Sequence, residues 1–87
     1  MANHRSAAKR ARQALVRRAR NRSTMSTLRT EVKRVETAVA EKDKDTAASA
    51  LSLATSLISR AAGKGVVHKN TAGRNISRLT QMVNSLG

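Results

Sequence analysis

The stretch AAKRARQALVRRARNR, residues 7–22, restricts the fold of this chain more than any other feature. Seven of its sixteen positions are Lys or Arg, none is acidic, and only Leu15 and Val16 are sizeable hydrophobic residues. Such a segment has too little apolar surface to join a protein core, and its charges need counter-charges from elsewhere. It therefore predicts a surface element that binds a polyanion.

The composition of the whole chain predicts an all-α protein. Its 87 residues suffice for one small domain with a modest core. The chain has no Pro, Phe, Tyr or Trp and only four Gly, so nothing forbids long helices, and the residues that usually fill sandwiches and barrels are absent. Ala, Arg, Lys and Leu are abundant, and these residues favour helices.

Hydrophobic residues recur every three or four positions, which is typical of helices. The first such set is Met25, Leu28, Val32, Val35 and Val39. Because no Gly or Pro lies upstream, we predict a first helix from about Ser6 to about Ala40, with Ser6 or Asn3 as its N-cap. The core is expected to begin only at about Met25.

Two further helices follow the break at EKDKD, residues 41–45. Asp43 is the predicted N-cap of the second helix and Asp45 lies in its first turn, where negative charge is favoured. The second apolar face comprises Ala47, Ala50, Leu51, Ala54, Leu57, Ile58 and Ala61. Gly63 and Gly65 should end this helix. After the link VVHKN, the third apolar face comprises Ala72, Ile76, Leu79, Val83 and Leu86.

These patterns predict an antiparallel three-helix bundle with a long, N-terminally extended first helix. We divide the chain into a basic arm, residues 1–24, and a bundle, residues 25–87.

The charge distribution favours nucleic acid as the partner. Of the net charge of +13, residues 1–30 contribute nine bases and no acid, whereas all five acids lie in residues 31–45. A small domain with this charge repels itself when it is free, so a polyanion is expected. An anionic membrane surface, a transit peptide and a basic tail that stays mobile even with its partner are the alternatives for the arm.

The bases of the arm do not share one helical face, since about 100° per residue spreads them over three sectors. The sectors are Arg5, Lys9, Arg12 and Arg20; Arg10 and Arg17; and Arg18 and Arg22. A helix lying on a membrane needs one apolar face, whereas a helix between several phosphate backbones needs charge on several sides. We expect the arm to be frayed when free and ordered when bound. Without aromatic side chains for stacking, its contacts should be mainly to phosphate and ribose.

A second basic cluster lies in GKGVVHKNTAGRNISR, residues 63–78. It contains Lys64, His68, Lys69, Asn70, Arg74, Asn75 and Arg78. His68 has two interpretations that the sequence leaves open, a capping residue or a residue that contacts a nucleic-acid backbone. GKG lacks the spacing of a phosphate-binding P-loop, two His and no Cys make no metal site, and no nucleophile has a nearby base. We therefore predict no catalytic residue, no metal and no cofactor.

With these residues in view, the chain resembles the bacterial small-subunit ribosomal protein S20 family along essentially its whole length. The resemblance depends on the opening MANHRSAAKRAR, the turn at Asp43 into an Ala-rich helix, and the late GKGVVHKNTAGR. The opening and the HKNxAxR pattern are specific in combination, whereas the middle helices are generic. The resemblance implies a three-helix bundle bound to ribosomal RNA near the bottom of the small subunit. It also implies a primary binder that holds RNA helices together during assembly.

The resemblance implies RNA contacts at ten residues: Asn3, Arg5, Ser6, Lys9, Arg10, Arg12, His68, Lys69, Asn70 and Arg74. Charge and position alone add Arg17, Arg18, Arg20, Arg22, Lys64 and Arg78. Gly73 departs from the family, where Ala is expected, and should weaken the third helix by up to about 1 kcal/mol. Asp45 adds an acid in a turn close to the expected RNA.

The predicted function is therefore that of a non-enzymatic constituent of the small ribosomal subunit, located in the cytoplasm within the ribosome. Ribosomal RNA is the predicted partner, with contacts to other small-subunit components left open. We expect no membrane partner, no small-molecule substrate and no obligate homo-oligomer. The alternative is an architectural, nucleoid-type DNA-binding protein, although no dimerisation surface or minor-groove wedge is evident.

Overall fold

The computed structural model describes the backbone of residues 2–86 and the side chains of residues 6–86. This part of the chain forms three helices: α1 Ala2–Ala40, α2 Lys44–Gly63 and α3 Lys69–Asn84. Each helix packs against the other two, and short connections at residues 41–43 and 64–68 reverse the chain. The predicted all-α fold, an antiparallel bundle with a long first helix, is confirmed.

The start of α1 corrects one prediction, because the helix already includes both Asn3 and Ser6 and neither residue caps it. Adding a residue to an existing helix is favourable, whereas starting one is costly. No Gly or Pro lies between Ala2 and Ser6, so a potential capping side chain does not interrupt the helix there.

The connection from α1 to α2 is a tight turn with a local cap. Lys42 has a φ of 58°, a left-handed conformation that is rare for a residue other than Gly. The N–H of Asp43 donates to the carbonyl of Ala38 at 3.0 Å. Asp43 then caps α2 by accepting from the Thr46 N–H at 3.2 Å and from the Thr46 hydroxyl at 2.7 Å. The predicted N-cap and the placement of Asp45 in the first turn are both confirmed.

Small side chains fill much of the core. The buried alanines of α2 are Ala47, Ala50, Ala54 and Ala61. Ile58 of α2, Val35 of α1 and Leu79 of α3 are the largest fully buried side chains. The predicted face of α2 is confirmed, with Leu51 and Leu57 half-buried at its edges. Since burial of one such aliphatic side chain contributes about 1.5–3 kcal/mol, these few residues carry much of the stability.

The connection from α2 to α3 depends on one glycine. Gly65 has a φ of +78°, and the N–H of the next residue, Val66, donates to the carbonyl of Ala61 at 2.9 Å. Gly63, the other glycine expected to end α2, is still its last helical residue. Of these two glycines, only Gly65 uses the conformational freedom that glycine allows.

Helix α3 begins earlier than the predicted link allowed. Lys69 and Asn70, the last two residues of the predicted link, lie in its first turn because the side chain of His68 caps it. The predicted apolar face is confirmed with Ala72, Leu79 and Val83 buried. Leu86 packs against the core from beyond the end of the helix.

The molecule is elongated, because only part of α1 has partners. In the described residues, the core cluster on α1 begins at Met25. The radius of gyration is 17.4 Å, compared with about 12 Å for a compact domain of this length. Within residues 2–86, every helix is too short or too polar to span a lipid bilayer.

Candidate nucleic-acid interface

Residues 2–22 of α1 extend beyond the bundle as a single helix. At 1.5 Å per residue, this projection is roughly 30 Å long. Together with the bundle half of α1, it accounts for the long dimension of the molecule, whose extents are 64 × 20 × 14 Å. Along the helix axis, Lys9 lies roughly 28 Å from Leu28, which is at the end of the core. The projection can thus reach elements of a partner that the bundle does not touch.

The candidate residues of the projection whose side chains are described are all exposed. They are Ser6, Lys9, Arg10, Arg12, Arg17, Arg18, Arg20 and Arg22. The side chains of Asn3, His4 and Arg5 lie outside the described residues. Leu15 and Val16, the two sizeable hydrophobic residues of the segment, are 62% and 57% exposed, so neither packs into a core.

The positive charge of the projection is not neutralised within the described protein. Among the side chains of residues 6–86, the only ion pair joins Arg34 to Glu31 at 3.4 Å, inside the bundle half of α1. The bases therefore keep their charge and their hydrogen-bond donors for an external anion.

Cations line shallow grooves along the projection. Arg12, Arg17 and Arg20 border one groove, and Lys9 and Arg12 border a second. Gln13 borders both grooves. A row of cations with an amide between them suits successive phosphates of a backbone, because guanidinium and amide groups both donate hydrogen bonds to phosphate oxygens.

The fold brings part of the second basic cluster to the root of the projection, which is the point where α1 leaves the bundle. Lys64 and Arg60, at the end of α2, border a cleft of about 190 Å³ together with Ser23 and Thr27 of α1. The antiparallel packing of α1 and α2 causes this proximity, since the end of α2 returns to the point where α1 leaves the bundle. This packing places Arg60 and Lys64 beside the point where the projection begins.

A second cleft lies between α1 and α3. Arg78 of α3 borders it together with Arg29 and Lys33 of α1, and its volume is about 360 Å³. We call it the α1–α3 cleft. Its cations lie on both sides of the opening, although more than 40 residues separate them along the chain.

His68 caps α3, so one of its two interpretations is confirmed. Its Nδ1 accepts a hydrogen bond from the N–H of Asn70 at 3.1 Å. A ring nitrogen that accepts a hydrogen bond carries no proton, so Nε2 is the donor of this ring. Lys69, Asn70 and Arg74 are exposed around the same helix start. A contact between His68 and nucleic acid stays a prediction, for which Nε2 is the available donor.

Three cations near the root of the projection were missed by the sequence reasoning. Arg29 and Lys33 border the α1–α3 cleft, and Arg60 borders the cleft with Lys64. Helical spacing contained a signal for each, since Arg29 lies two turns after Arg22 and Arg60 lies one turn before Lys64. They were overlooked because they belong to segments that also supply the core.

The remaining titratable groups do not form a reactive site. Within the described residues, no three His, Asp or Glu side chains are placed to hold a metal ion. The hydroxyl and the N–H of Thr46 donate to Asp43 and hold the pKa of that carboxyl below its ordinary 3.8. Glu31, 8% exposed, accepts from Arg34. These contacts stabilise the bundle.

Comparison with known proteins agrees with the geometry. Residues 2–84 match the family model of Ribosomal protein S20. The chain belongs to the ribosomal protein S20 family. Its full length aligns with the full length of two curated relatives named small ribosomal subunit protein bS20. These are from Citrifermentans bemidjiense, 53% identical, and from Geotalea uraniireducens, 55% identical. A third relative of that name, from Desulforapulum autotrophicum, is 58% identical over 93% of this chain and 96% of its own length.

The departure at Gly73 has little effect on the geometry of this S20 family member. Helix α3 continues through Gly73, and a Cβ placed there would meet no atom within 4 Å. The neighbouring Arg74 therefore lies on a regular, exposed helical turn.

Proposed function

We propose that this chain binds small-subunit ribosomal RNA directly and holds separate RNA helices together during and after assembly of the subunit. The coarser function follows from its family. The chain is a structural constituent of the small ribosomal subunit, in the cytoplasm as part of the ribosome, and not an enzyme. The proposal adds the contact with RNA and the residues that make it.

One observation carries the proposal: a helix projects roughly 30 Å from the bundle with exposed bases on several sides and no described carboxylate partner. Phosphate backbones crowded around such a helix would neutralise it from more than one direction. The projection would then be the part that clamps RNA, and the bundle would fix its direction.

The second basic cluster supplies a second contact in this proposal. Lys64 and Arg78 border clefts at the root of the projection, and Lys69, Asn70 and Arg74 are exposed at the start of α3. RNA bound here would differ from RNA bound at the tip, because the two places are well separated along α1. Binding both would hold two RNA elements in a fixed relation.

The test is the salt dependence of binding to small-subunit ribosomal RNA transcribed in vitro. If six phosphates are contacted, affinity should fall on the order of a thousandfold between about 50 and 200 mM salt, by the rule for duplex DNA. Replacing Arg12 and Arg17 with Gln should lower the slope of log affinity against log salt by about one per residue. Arg34→Gln is the matched control, because Arg34 lies on the same helix but pairs with Glu31.

An affinity that does not change with salt would refute the clamp. Equal effects of the Arg12 and Arg34 substitutions would also count against it. Sedimentation of tagged protein from a cell lysate distinguishes this proposal from the DNA-binding alternative. That alternative predicts that the protein accompanies chromosomal DNA and not the small subunit. Other small-subunit components as additional partners, and the absence of an obligate homo-oligomer, belong to the same proposal.

A further inference from the structure

The α1–α3 cleft combines features that an electrostatic clamp does not need. Half-buried hydrophobic side chains, Met25, Val32 and Val67, line it together with the buried Ile58. A surface that only bound phosphate would gain nothing from apolar walls. The cleft volume of about 360 Å³ lies at the small end of ligand pockets, which range over roughly 300–1,000 Å³.

We infer that the α1–α3 cleft receives one nucleobase of the bound RNA, turned out of its stack, while Arg29, Lys33 and Arg78 hold the adjoining phosphates. This inference rests on the proposed function, since it assigns a subsite to the same RNA. It adds a base contact to an interface that otherwise recognises backbone.

The charges around the opening favour a nucleotide. Three cations border the cleft and Glu36 is its single acidic lining residue. An apolar group that is linked to phosphates therefore suits the cleft better than a neutral or cationic ligand does. A nucleobase is the apolar part of such a group, because its faces are hydrophobic and its sugar is linked to phosphate on both sides.

The polar side chains inside the cleft suit the edge of a base. Thr71 and Asn75 of α3 are half-buried and line the cleft. Within the described residues, neither side chain makes a hydrogen bond, whereas the hydroxyls of Thr27, Thr30 and Thr80 donate to backbone carbonyls. A hydroxyl and an amide supply both donors and acceptors for a base edge.

Apolar side chains and guanidinium groups can replace aromatic side chains here. Bases bind against Arg guanidinium planes as well as aromatic rings, and Arg29 and Arg78 both border the opening. The carboxylate of Glu36 only accepts hydrogen bonds, so it would pair with a donor on the edge of the base, such as an exocyclic amino group.

The position of the cleft agrees with this occupant. The cleft begins at Met25, where α1 leaves the bundle, so RNA that follows the projection would pass its opening. Turning out one base at this point would fix the position of the RNA along the helix. Phosphate contacts alone carry no sequence information, and electrostatic binding of this kind allows a protein to slide along the nucleic acid.

The experiment uses the full chain and small-subunit ribosomal RNA transcribed in vitro, with Thr71→Leu to fill the cleft. This change removes no charge and replaces a residue by a better helix former. Affinity should fall roughly tenfold, the effect of losing one stacked base, with an unchanged salt slope. Modification with dimethyl sulfate and kethoxal should show one base protected by the native chain and reactive with the variant.

Asn75→Leu is the second variant, and it should give the same result if Thr71→Leu fails to fold. Ser77→Leu is the matched control, because Ser77 is exposed on the same helix and does not line the cleft. Thermal melting of each variant checks that the bundle is intact.

Unchanged affinity and unchanged base protection in both cleft variants would overturn the inference. An equal loss in Ser77→Leu would also overturn it, as would an affinity loss that occurs only when an acidic small-subunit protein is present. These outcomes leave the proposed function standing, because that function is tested by the salt slope and by the substitutions at Arg12 and Arg17.

Discussion

The two halves of α1 share one helix and differ in almost everything else. Between Met25 and Ala40, every third or fourth side chain packs into the core, and Val35 is fully buried. Between Ser6 and Arg22, no described side chain is buried and the bases point in several directions. Once the bundle half is helical, the helix can propagate into the projecting half, whereas the use of the helix surface depends on what lies beside it.

The comparison teaches that core packing and exposed, unpaired positive charge are separated along a single helix. The bundle half contributes apolar burial, and the projecting half contributes charge that the described protein does not neutralise. Substitutions of core side chains in the bundle half should therefore change melting with little effect on binding, and substitutions of bases in the projecting half should do the reverse.

Deletion of residues 1–22 is expected to have the largest effect. The truncated chain should keep a cooperative thermal transition, because the core begins at Met25. Its affinity for small-subunit ribosomal RNA should fall at least about a hundredfold near 100 mM salt, since most phosphate contacts are removed. Circular dichroism and filter binding measure the two properties. An unfolded truncated chain, or one that binds with native affinity, would break the comparison between the two halves.

The same substitution in the two halves should have opposite consequences. Val35→Asp places an unpaired charge in the core and should lower the free energy of unfolding by about 3–5 kcal/mol. Val16→Asp, on the same helix at a position that is 57% exposed, should change it by less than about 0.5 kcal/mol. Chemical denaturation of both variants measures the difference. Similar losses would show that the projection also contributes to the stability of the fold.

Glycine substitutions in the bundle should move stability in both directions. Gly65→Ala should cost about 1 kcal/mol, because Gly65 has a φ of +78°. Gly73→Ala should gain about 0.5–1 kcal/mol, because position 73 is helical and open. Neither variant should change the salt slope of RNA binding. A changed slope would indicate that the bundle backbone and the phosphate contacts are coupled.

Acid should produce the smallest effect, and only in the bundle. Asp43 has a pKa lowered below 3.8 by the hydrogen bonds from Thr46, so its ionised form is favoured in the folded state. The resulting stabilisation is fully present above the unfolded value of 3.8 and is lost as the pH falls through the lowered pKa. Melting temperature measured from about pH 6 to about pH 2 should show this decline, and Asp43→Asn should make it shallower. Residues 6–22 have no carboxylate, so their helix content should not follow the same curve.

Local features of the fold could be predicted from the sequence. The conformation at the ends of the helices was harder to predict. Asp43 was predicted because a capping carboxylate and the Thr46 N–H are only three residues apart. The predicted start of α1 was wrong, because Asn3 and Ser6 can either cap a helix or lie within one. The left-handed conformation of Lys42 was not predicted, because a lysine side chain does not favour this conformation. The packing of α2 against α1 imposes the turn.

The candidate site also has one part that the sequence predicted and another that only the structure showed. Charge counting identified the bases of the projection, because they are close in sequence and no acid accompanies them. The approach of Arg78 to Arg29 and Lys33 depends on the packing of α3 against α1, which local spacing does not contain. His68 had two open roles until the capping hydrogen bond to Asn70 decided one of them.

The amino-acid sequence by itself determined three helices, their apolar faces and a leading segment too basic to be buried, because helical periodicity and charge act over a few neighbouring residues. Only the tertiary structure decided where that segment leaves the bundle and which distant cations gather at its root. Those relations depend on how the helices pack, and packing brings together residues that the chain itself keeps far apart.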